Sequence, residues 1–211
     1  GNPGIVAKLD QLDTLLGRRL VQQVDANLTE FQQLLDAIGL LDKLESLDLG
    51  NIGMGPKGVV MTSALLRSDK INAAMSSITL SSTGNPREPK TYTIEKGVTE
   101  LNLAKMNLGP GDMMVISALI QTGLIAAITL LSVSGNFIFG SKRDNYGGTI
   151  HDVDRDLTGF ASICEALKKC HNIQSINFSD IGMGPKGAVL TSELLSSPEI
   201  NAGLTSFLIG G

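Results

Sequence analysis

The chain has 211 residues, a formal net charge of −4 at pH 7 and 42% hydrophobic residues, with no Trp. Proteins that bind nucleic acids through phosphate contacts carry clustered Lys and Arg, which this sequence lacks, so its composition argues against a nucleic-acid partner. No apolar run reaches the length of a transmembrane helix, so no membrane partner is expected.

Residues 1–27 are expected to form an N-terminal helical flank or cap. From residue 28 to residue 211, short segments of the form apolar-x-x-apolar-x-apolar recur. The alternation inside each segment predicts a short strand with one buried and one exposed face. The predicted strands lie within residues 44–49, 75–80, 98–103, 128–133, 173–178 and 204–209.

Helical patterns alternate with these strands. They cover residues 28–41, 59–66, 113–120, 157–169 and 188–195. A Gly-Pro pair precedes three of them, and Pro suits the first helical position because its missing N–H would be unpaired there in any case. Residues 81–97 are expected to be extended instead of helical, and residues 137–156 are expected to be an insertion.

Part of the sequence is repeated. Residues 28–82 recur at residues 157–211 at a constant offset of 129, and Ile52–Gly58 returns unchanged at Ile181–Gly187. Self-similarity at a fixed spacing predicts a repeat architecture. Repeat proteins of this kind expose extended surfaces that usually serve for binding.

A strand pattern followed by Leu-Gly-Pro and a helix resembles the leucine-rich repeat of the ribonuclease-inhibitor-like class. The clearest matches are VTELNLAKMNLGP at Val98–Pro110 and ITLLSVSGN at Ile128–Asn136. The resemblance implies an α/β solenoid, or horseshoe, over residues 28–211, with short parallel strands on the concave face and helices on the convex face. It further implies a non-enzymatic protein–protein interaction module or scaffold. A regulatory protein that acts on a small GTPase or on actin is the alternative within the same class.

The predicted partner is therefore another protein, and two surfaces are candidates for its binding. One is the concave face, and the other is the insertion, whose aromatic side chains alternatively lie against the flank of the solenoid. The candidate residues are Asp48, Thr79, Asn102, Ser132 and Asn177 on the strands, and Phe137, Phe139, Arg143 and Tyr146 in the insertion.

The C-terminal strand pattern suggests a further contact. It runs to the last residues of the sequence, whereas repeat domains need a polar cap at each end. We therefore expect either a piece of a longer array, truncated at the C-terminus, or self-association through the uncapped C-terminal edge.

The segment Gly53–Gly58, repeated at Gly182–Gly187, matches the dinucleotide fingerprint G-x-G-x-x-G between a strand and a helix. A nucleotide-binding enzyme would also need an acidic residue at the end of a later strand, but the nearby Asp69 and Glu199 follow the helices. A tight strand-to-helix turn in each repeat is the favoured interpretation, and no cofactor is expected.

Two patterns hint at metal sites without completing one. Asp152–Asp156 has alternate carboxylates like the start of a calcium loop, but the sixth and twelfth positions would be Leu157 and Ile163. Acids gathered before a helix N-terminus are the simpler interpretation. The Cys and His residues lack zinc-ligand spacing, so no metal is expected.

The two cysteines also bear on the compartment. Cys164 and Cys170 are six residues apart in a helical pattern, a spacing that does not bring side chains together on one helix face. A disulfide is therefore not expected, and we predict a cytoplasmic protein.

Overall fold

The computed structural model describes residues 8–9, 22–85, 88–143 and 150–210. The elements of the first part are β1 (Lys8–Leu9), β2 (Gln22–Gln23), α1 (Leu28–Ile38), β3 (Ser46–Asp48), α2 (Pro56–Leu65), α3 (Asp69–Ala74), β4 (Ser77–Ser81), β5 (Thr91–Glu95) and β6 (Glu100–Asn102). They are followed by α4 (Pro110–Gln121), β7 (Leu130–Ser132), β8 (Lys142–Arg143), β9 (Ile150–His151), α5 (Thr158–Leu167), β10 (Ser175–Asn177), α6 (Pro185–Leu195), α7 (Pro198–Gly203) and β11 (Ser206–Leu208).

The alternation of strands and helices predicted from the sequence is confirmed. A strand overlaps each of the six predicted segments, and a helix overlaps each of the five predicted helical stretches. Pro56, Pro110 and Pro185 occupy the first helical position of α2, α4 and α6. The short helices α3 and α7 were not predicted.

The predicted horseshoe is wrong, although the fold is α/β. A solenoid of this class needs one continuous parallel sheet, whereas the strands of the predicted segments are divided between two separate sheets. The first sheet has the order β3-β4-β5, and the second sheet has the order β11-β10-β7-β6. All strand pairs of the second sheet are parallel, whereas β4 and β5 of the first sheet are antiparallel.

The strand β5 separates the two sheets. It runs back along β4, with Ile78 opposite Ile94 and Leu80 opposite Tyr92. One edge of a strand can form only one hydrogen-bonded ladder. Because β5 occupies the edge of β4 that a further parallel strand would need, β6 pairs with β7 instead and begins the second sheet.

The core lies between the sheets and the helices, which pack as neighbours in the order α1, α2, α4, α5 and α6. The central residues of the three-residue strands β3, β6, β7 and β10 are buried in it, and a row of aromatic rings extends it toward β11. The ring centroids of Phe139 and Phe160 are 4.6 Å apart, those of Phe160 and Phe178 are 5.2 Å apart, and those of Phe178 and Phe207 are 6.0 Å apart. Such pairs add about 1 kcal/mol each beyond the burial of their area.

Two predicted segments are described only in part. Of residues 1–27, the structure describes the antiparallel pair β1 and β2 and the turn that leads into α1. Of the insertion, it describes a second antiparallel pair, β8 and β9, but not residues 144–149. Within the described residues, no helix has both the length and the apolar character needed to cross a bilayer.

Candidate binding surface

The outward side chains of the first sheet form a surface rich in hydroxyl groups. The strand register places Ser46 beside Ser77, Asp48 beside Thr79, and Thr79 beside Thr93. The hydroxyl oxygens of Ser46 and Ser77 are 3.0 Å apart, and those of Thr79 and Thr93 are 2.8 Å apart. We call the surface formed by these five residues the hydroxyl face.

The second sheet presents a row of amide and hydroxyl groups. Asn102, Ser132 and Asn177 are register partners on β6, β7 and β10, and Leu208 of β11 ends the row. Asn102 is exposed, Asn177 is half-buried, and Ser132 is 7% exposed. We call these first three residues the amide row. The five predicted strand residues therefore lie side by side within each sheet, as their outward positions in the alternating pattern imply.

Three of these predicted residues also have a structural task. The Oδ1 atoms of Asp48, Asn102 and Asn177 each accept a hydrogen bond from the amide two residues further on, at 2.8, 3.1 and 3.0 Å. Such side-chain bonds to the local backbone stabilise turns. These side chains therefore end their strands in the same way, while Asp48 and Asn102 stay exposed and Asn177 stays half-buried.

The structure describes the predicted residues of the insertion only in part. Phe139 is fully buried against Phe160, so the expectation that it meets a partner is wrong and the alternative, packing against the body of the protein, holds for this ring. Phe137 is half-buried. The backbone of Arg143 pairs with that of Ile150 in β8 and β9. Tyr146 lies outside the described residues.

The repeated G-x-G-x-x-G segment binds a carboxylate of the same chain. Asp25 Oδ1 accepts hydrogen bonds from the amides of Gly55 and Gly58, at 2.8 and 3.0 Å, and its Oδ2 accepts one from Lys57, at 2.9 Å. In the second copy, Asp154 makes the same bonds to Gly184, Lys186 and Gly187, at 3.0, 2.7 and 3.2 Å. The N-terminus of each helix is therefore already occupied by an anionic group.

The geometry of the turn accounts for the glycines of the motif. A Cβ atom on Gly55 would lie 2.6 Å from Asp25 Oδ2, and one on Gly58 would lie 2.5 Å from Met54 Cγ. Gly53 has a φ of 78°, in the region that favours glycine. All three glycines of the first copy are thus needed by the turn itself, without a nucleotide.

Sequence reasoning missed Asp25 and Asp154 as the residues that hold these turns. The signal was present, because the offset of 129 extends upstream of residue 28 to place Val24-Asp25 opposite Val153-Asp154. Both Asp residues have positive φ, 57° and 55°, a conformation that Asp tolerates better than most residues.

The remaining Gly-Pro helix, α4, has a buried carboxylate at its N-terminus. Asp112 Oδ2 accepts hydrogen bonds from the amide and hydroxyl of Thr83, at 2.9 and 2.7 Å, and from the amide of Gly109, at 2.8 Å. The hydroxyl of Tyr92 donates to Asp112 Oδ1 at 2.8 Å. Burial raises the pKa of Asp112, and these hydrogen bonds act in the opposite direction. Four donors converge on this carboxylate, so it joins β5 to α4.

The groups considered for metal binding do not assemble. Asp154 binds α6, whereas Asp156 Oδ1 accepts hydrogen bonds from the amide and hydroxyl of Thr158, at 3.0 and 2.6 Å, at the start of α5. Cys164 and Cys170 are buried free thiols. In the part of the chain that the structure describes, no three His, Cys, Asp or Glu side chains come together as metal ligands.

No protein-family model matches the chain, and no curated protein matches it.

Proposed function

We propose that this protein is a non-enzymatic protein-binding module that uses the hydroxyl face and the amide row as its contact surface. The observation that carries the proposal is the outward side of the two sheets, where small polar side chains stand in register and, apart from the buried Ser132, are exposed or half-buried. Small side chains let a partner approach the strands closely, and their hydroxyl and amide groups offer directional hydrogen bonds.

The competing proposal, a nucleotide-binding enzyme, is disfavoured by the helix N-termini. A pyrophosphate at this motif would need the free amides of the turn. Asp25 accepts hydrogen bonds from three of these amides in the first copy, and Asp154 does so in the second. A phosphate would have to displace a carboxylate that lies on the same chain and is held by the fold.

The cysteines fit neither catalysis nor an oxidising compartment. Burial raises the pKa of Cys164 to about 12 and that of Cys170 to about 11, so both remain thiols at neutral pH. A nucleophilic cysteine needs thiolate character. Two free cysteines are also usual for proteins of a reducing compartment, which supports a cytoplasmic location as part of the proposal.

The proposal is tested by affinity capture from the source cells with two surface variants. Asn102→Arg places a long cation in the amide row, and Thr93→Arg places one in the hydroxyl face. Gln121→Arg, on the exposed end of α4, makes a comparable change on the helical side. A side chain central to an interface contributes about 2 kcal/mol, so we expect at least one sheet variant to bind the captured partner roughly 30-fold more weakly.

The control must bind the partner as the unaltered protein does. Equal capture by all three variants, measured on folded proteins of equal melting temperature, would show that the partner does not bind to the sheets.

A thermal-shift measurement with ATP and NAD tests the enzyme alternative. A ligand at about 100 times its Kd would stabilise the protein by about 2.7 kcal/mol, and we expect no such shift.

A further inference from the structure

A groove lies between α1 and α2 on their solvent-exposed side. It has a volume of about 370 Å³. Among the residues that line it, Leu35, Met61 and Leu65 are apolar, and the exposed Asp36 carries a negative charge. We call it the α1/α2 groove and define it by Leu35, Asp36, Gly39, Met61, Ala64 and Leu65.

The repeat provides a second copy of this groove, between α5 and α6. The offset of 129 sets four of its residues opposite Leu35, Asp36, Gly39 and Ala64, and these are Cys164, Glu165, Lys168 and Glu193. Lys168, which is half-buried, donates a hydrogen bond to Glu165. This hydrogen bond and the charges of Glu165 and Glu193 raise the pKa of Lys168. The side chain of Lys168 therefore lies in the second groove, between carboxylates of α5 and α6.

The first copy of the groove lacks this lysine. Gly39 ends α1 with a φ of −62°, which any residue can adopt, so the backbone does not require glycine there. A Cβ atom on Gly39 would lie 3.3 Å from Leu65 Cδ1, so a side chain at this position is directed toward α2. Leu65 is half-buried, whereas its counterpart Leu194 is fully buried. The α1/α2 groove is therefore open because Gly39 takes the place of Lys168, a difference that lies within the repeated sequence.

We propose that the α1/α2 groove binds a lysine side chain of a partner protein. The second copy shows the geometry, because Lys168 fills the equivalent space from within the chain. In the first copy, the aliphatic stem of the bound lysine packs against Leu35 and Leu65, and its ammonium donates a hydrogen bond to Asp36. The net charge of −4 also favours the approach of a basic segment.

Lysine fits this groove better than arginine does. Asp36 Oδ1 already accepts a hydrogen bond from Gln32 Nε2 at 2.7 Å. A guanidinium binds a carboxylate best through both oxygens at once, whereas an ammonium is a compact charge that needs only one of them. An aliphatic side chain would leave the carboxylate of Asp36 without a cation. The groove is therefore expected to recognise lysine, and not basic or apolar side chains in general.

This inference goes beyond the proposed binding function and can fail independently of it, because the Asn102 and Thr93 variants lie on the sheets and do not alter the groove. The test is an NMR titration of the methyl groups of Leu35, Met61 and Leu65 with three end-blocked pentapeptides. Their central residue is lysine, norleucine or arginine, and the flanking residues are alanines. We expect the lysine peptide to bind with a Kd on the order of 1 mM, and the other two to bind about fivefold more weakly.

Three variants change the groove in known directions. Gly39→Lys supplies the lysine from within the chain, as in the second copy, and should abolish binding of the lysine peptide. Asp36→Asn removes the negative charge and should weaken binding about fivefold. Ala64→Glu adds the carboxylate that Glu193 supplies in the second copy, and should strengthen binding about threefold. Asp42→Asn, which changes an exposed acid outside the groove, is the matched control and should leave the Kd unchanged.

Four results would overturn the proposal. The first is the absence of methyl shifts with the lysine peptide at about 10 mM. The second is equal binding of the lysine peptide and either of the other two peptides. The third is unchanged binding to the Gly39→Lys variant. The fourth is a set of contacts, in the free protein, between the Leu65 methyl groups and another segment of this chain or a second copy of it, because the groove would then already be filled.

Discussion

Asp154 shows how one residue holds a helix in place from a distance along the chain. Its positive φ of 55° turns the carboxylate toward α6, where it accepts hydrogen bonds from the amides of Gly184, Lys186 and Gly187. These amides have no partner inside the helix, and the helix dipole favours a negative charge beside them. Asp25 plays the same part at α2.

We therefore expect Asp154→Asn to lower the free energy of unfolding by about 1–3 kcal/mol. The substitution removes the charge and turns an NH2 group toward amides that need an acceptor. Chemical denaturation measures the change. Asp152→Asn is the matched control, since this exposed neighbour has a similar φ of 55°, and its effect should stay within about 0.5 kcal/mol. Equal effects of the two substitutions would contradict a stabilising role for the negative carboxylate at these amides.

At the scale of elements, β5 determines the division into two sheets, and its direction could not be predicted. Residues 81–97 were expected to be extended, and the alternation in Thr91–Glu95 is typical of a strand. Alternation identifies the buried face of a strand but not whether its neighbour is parallel. The Tyr92 hydroxyl bonds to Asp112 and so ties β5 to α4, but this contact joins residues 20 positions apart and leaves no periodic signal.

The link between Tyr92 and Asp112 can be measured with a double-mutant cycle. We expect Asp112→Ala to destabilise the protein by about 3 kcal/mol or more, because it leaves the buried donors of Thr83, Gly109 and Tyr92 without an acceptor. Tyr92→Phe alone should cost about 1 kcal/mol. The double variant should cost less than the sum, by about 0.5 kcal/mol or more. Additive costs would mean that this contact does not hold β5 to α4.

The candidate surface could be predicted in part, because alternation identifies which face of a strand is exposed. The period of two in each strand was enough to place Asp48, Thr79, Asn102, Ser132 and Asn177 on the outward side. The insertion has no such period, so the sequence could not distinguish the buried ring of Phe139 from an exposed one.

At the scale of the whole molecule, the two sequence-related units lie in different surroundings. The first unit lies against the antiparallel strand β5, whereas the second unit lies in the parallel sheet of β6, β7, β10 and β11. The prediction of a horseshoe assumed that units with similar sequences also pack against their neighbours in the same way. Similar units build one continuous sheet only if the segment between them keeps the parallel pairing, and residues 81–97 do not.

Global unfolding is expected to control the reactivity of both thiols. Because burial raises the pKa of Cys164 to about 12 and that of Cys170 to about 11, alkylation at pH 8 should be slow in the native protein and fast in denaturant. A pKa raised in the folded state stabilises the fold fully below the unfolded value, about 8.5, and this contribution is lost as pH rises through 11 to 12. The labelling rate measured by mass spectrometry should therefore follow the unfolded fraction. Rapid labelling of the folded protein at pH 8 would contradict this.

The insertion at residues 137–156 resembles a surface loop in the sequence, yet it contributes side chains that stabilise the second unit. Phe139 begins the row of rings that reaches β11, and Asp154 holds the N-terminus of α6. Shortening this segment as if it were a surface loop would remove a core side chain and a helix anchor together. The second unit is therefore stabilised by residues upstream of residue 157, of which Asp154 has a counterpart, Asp25, upstream of the first unit.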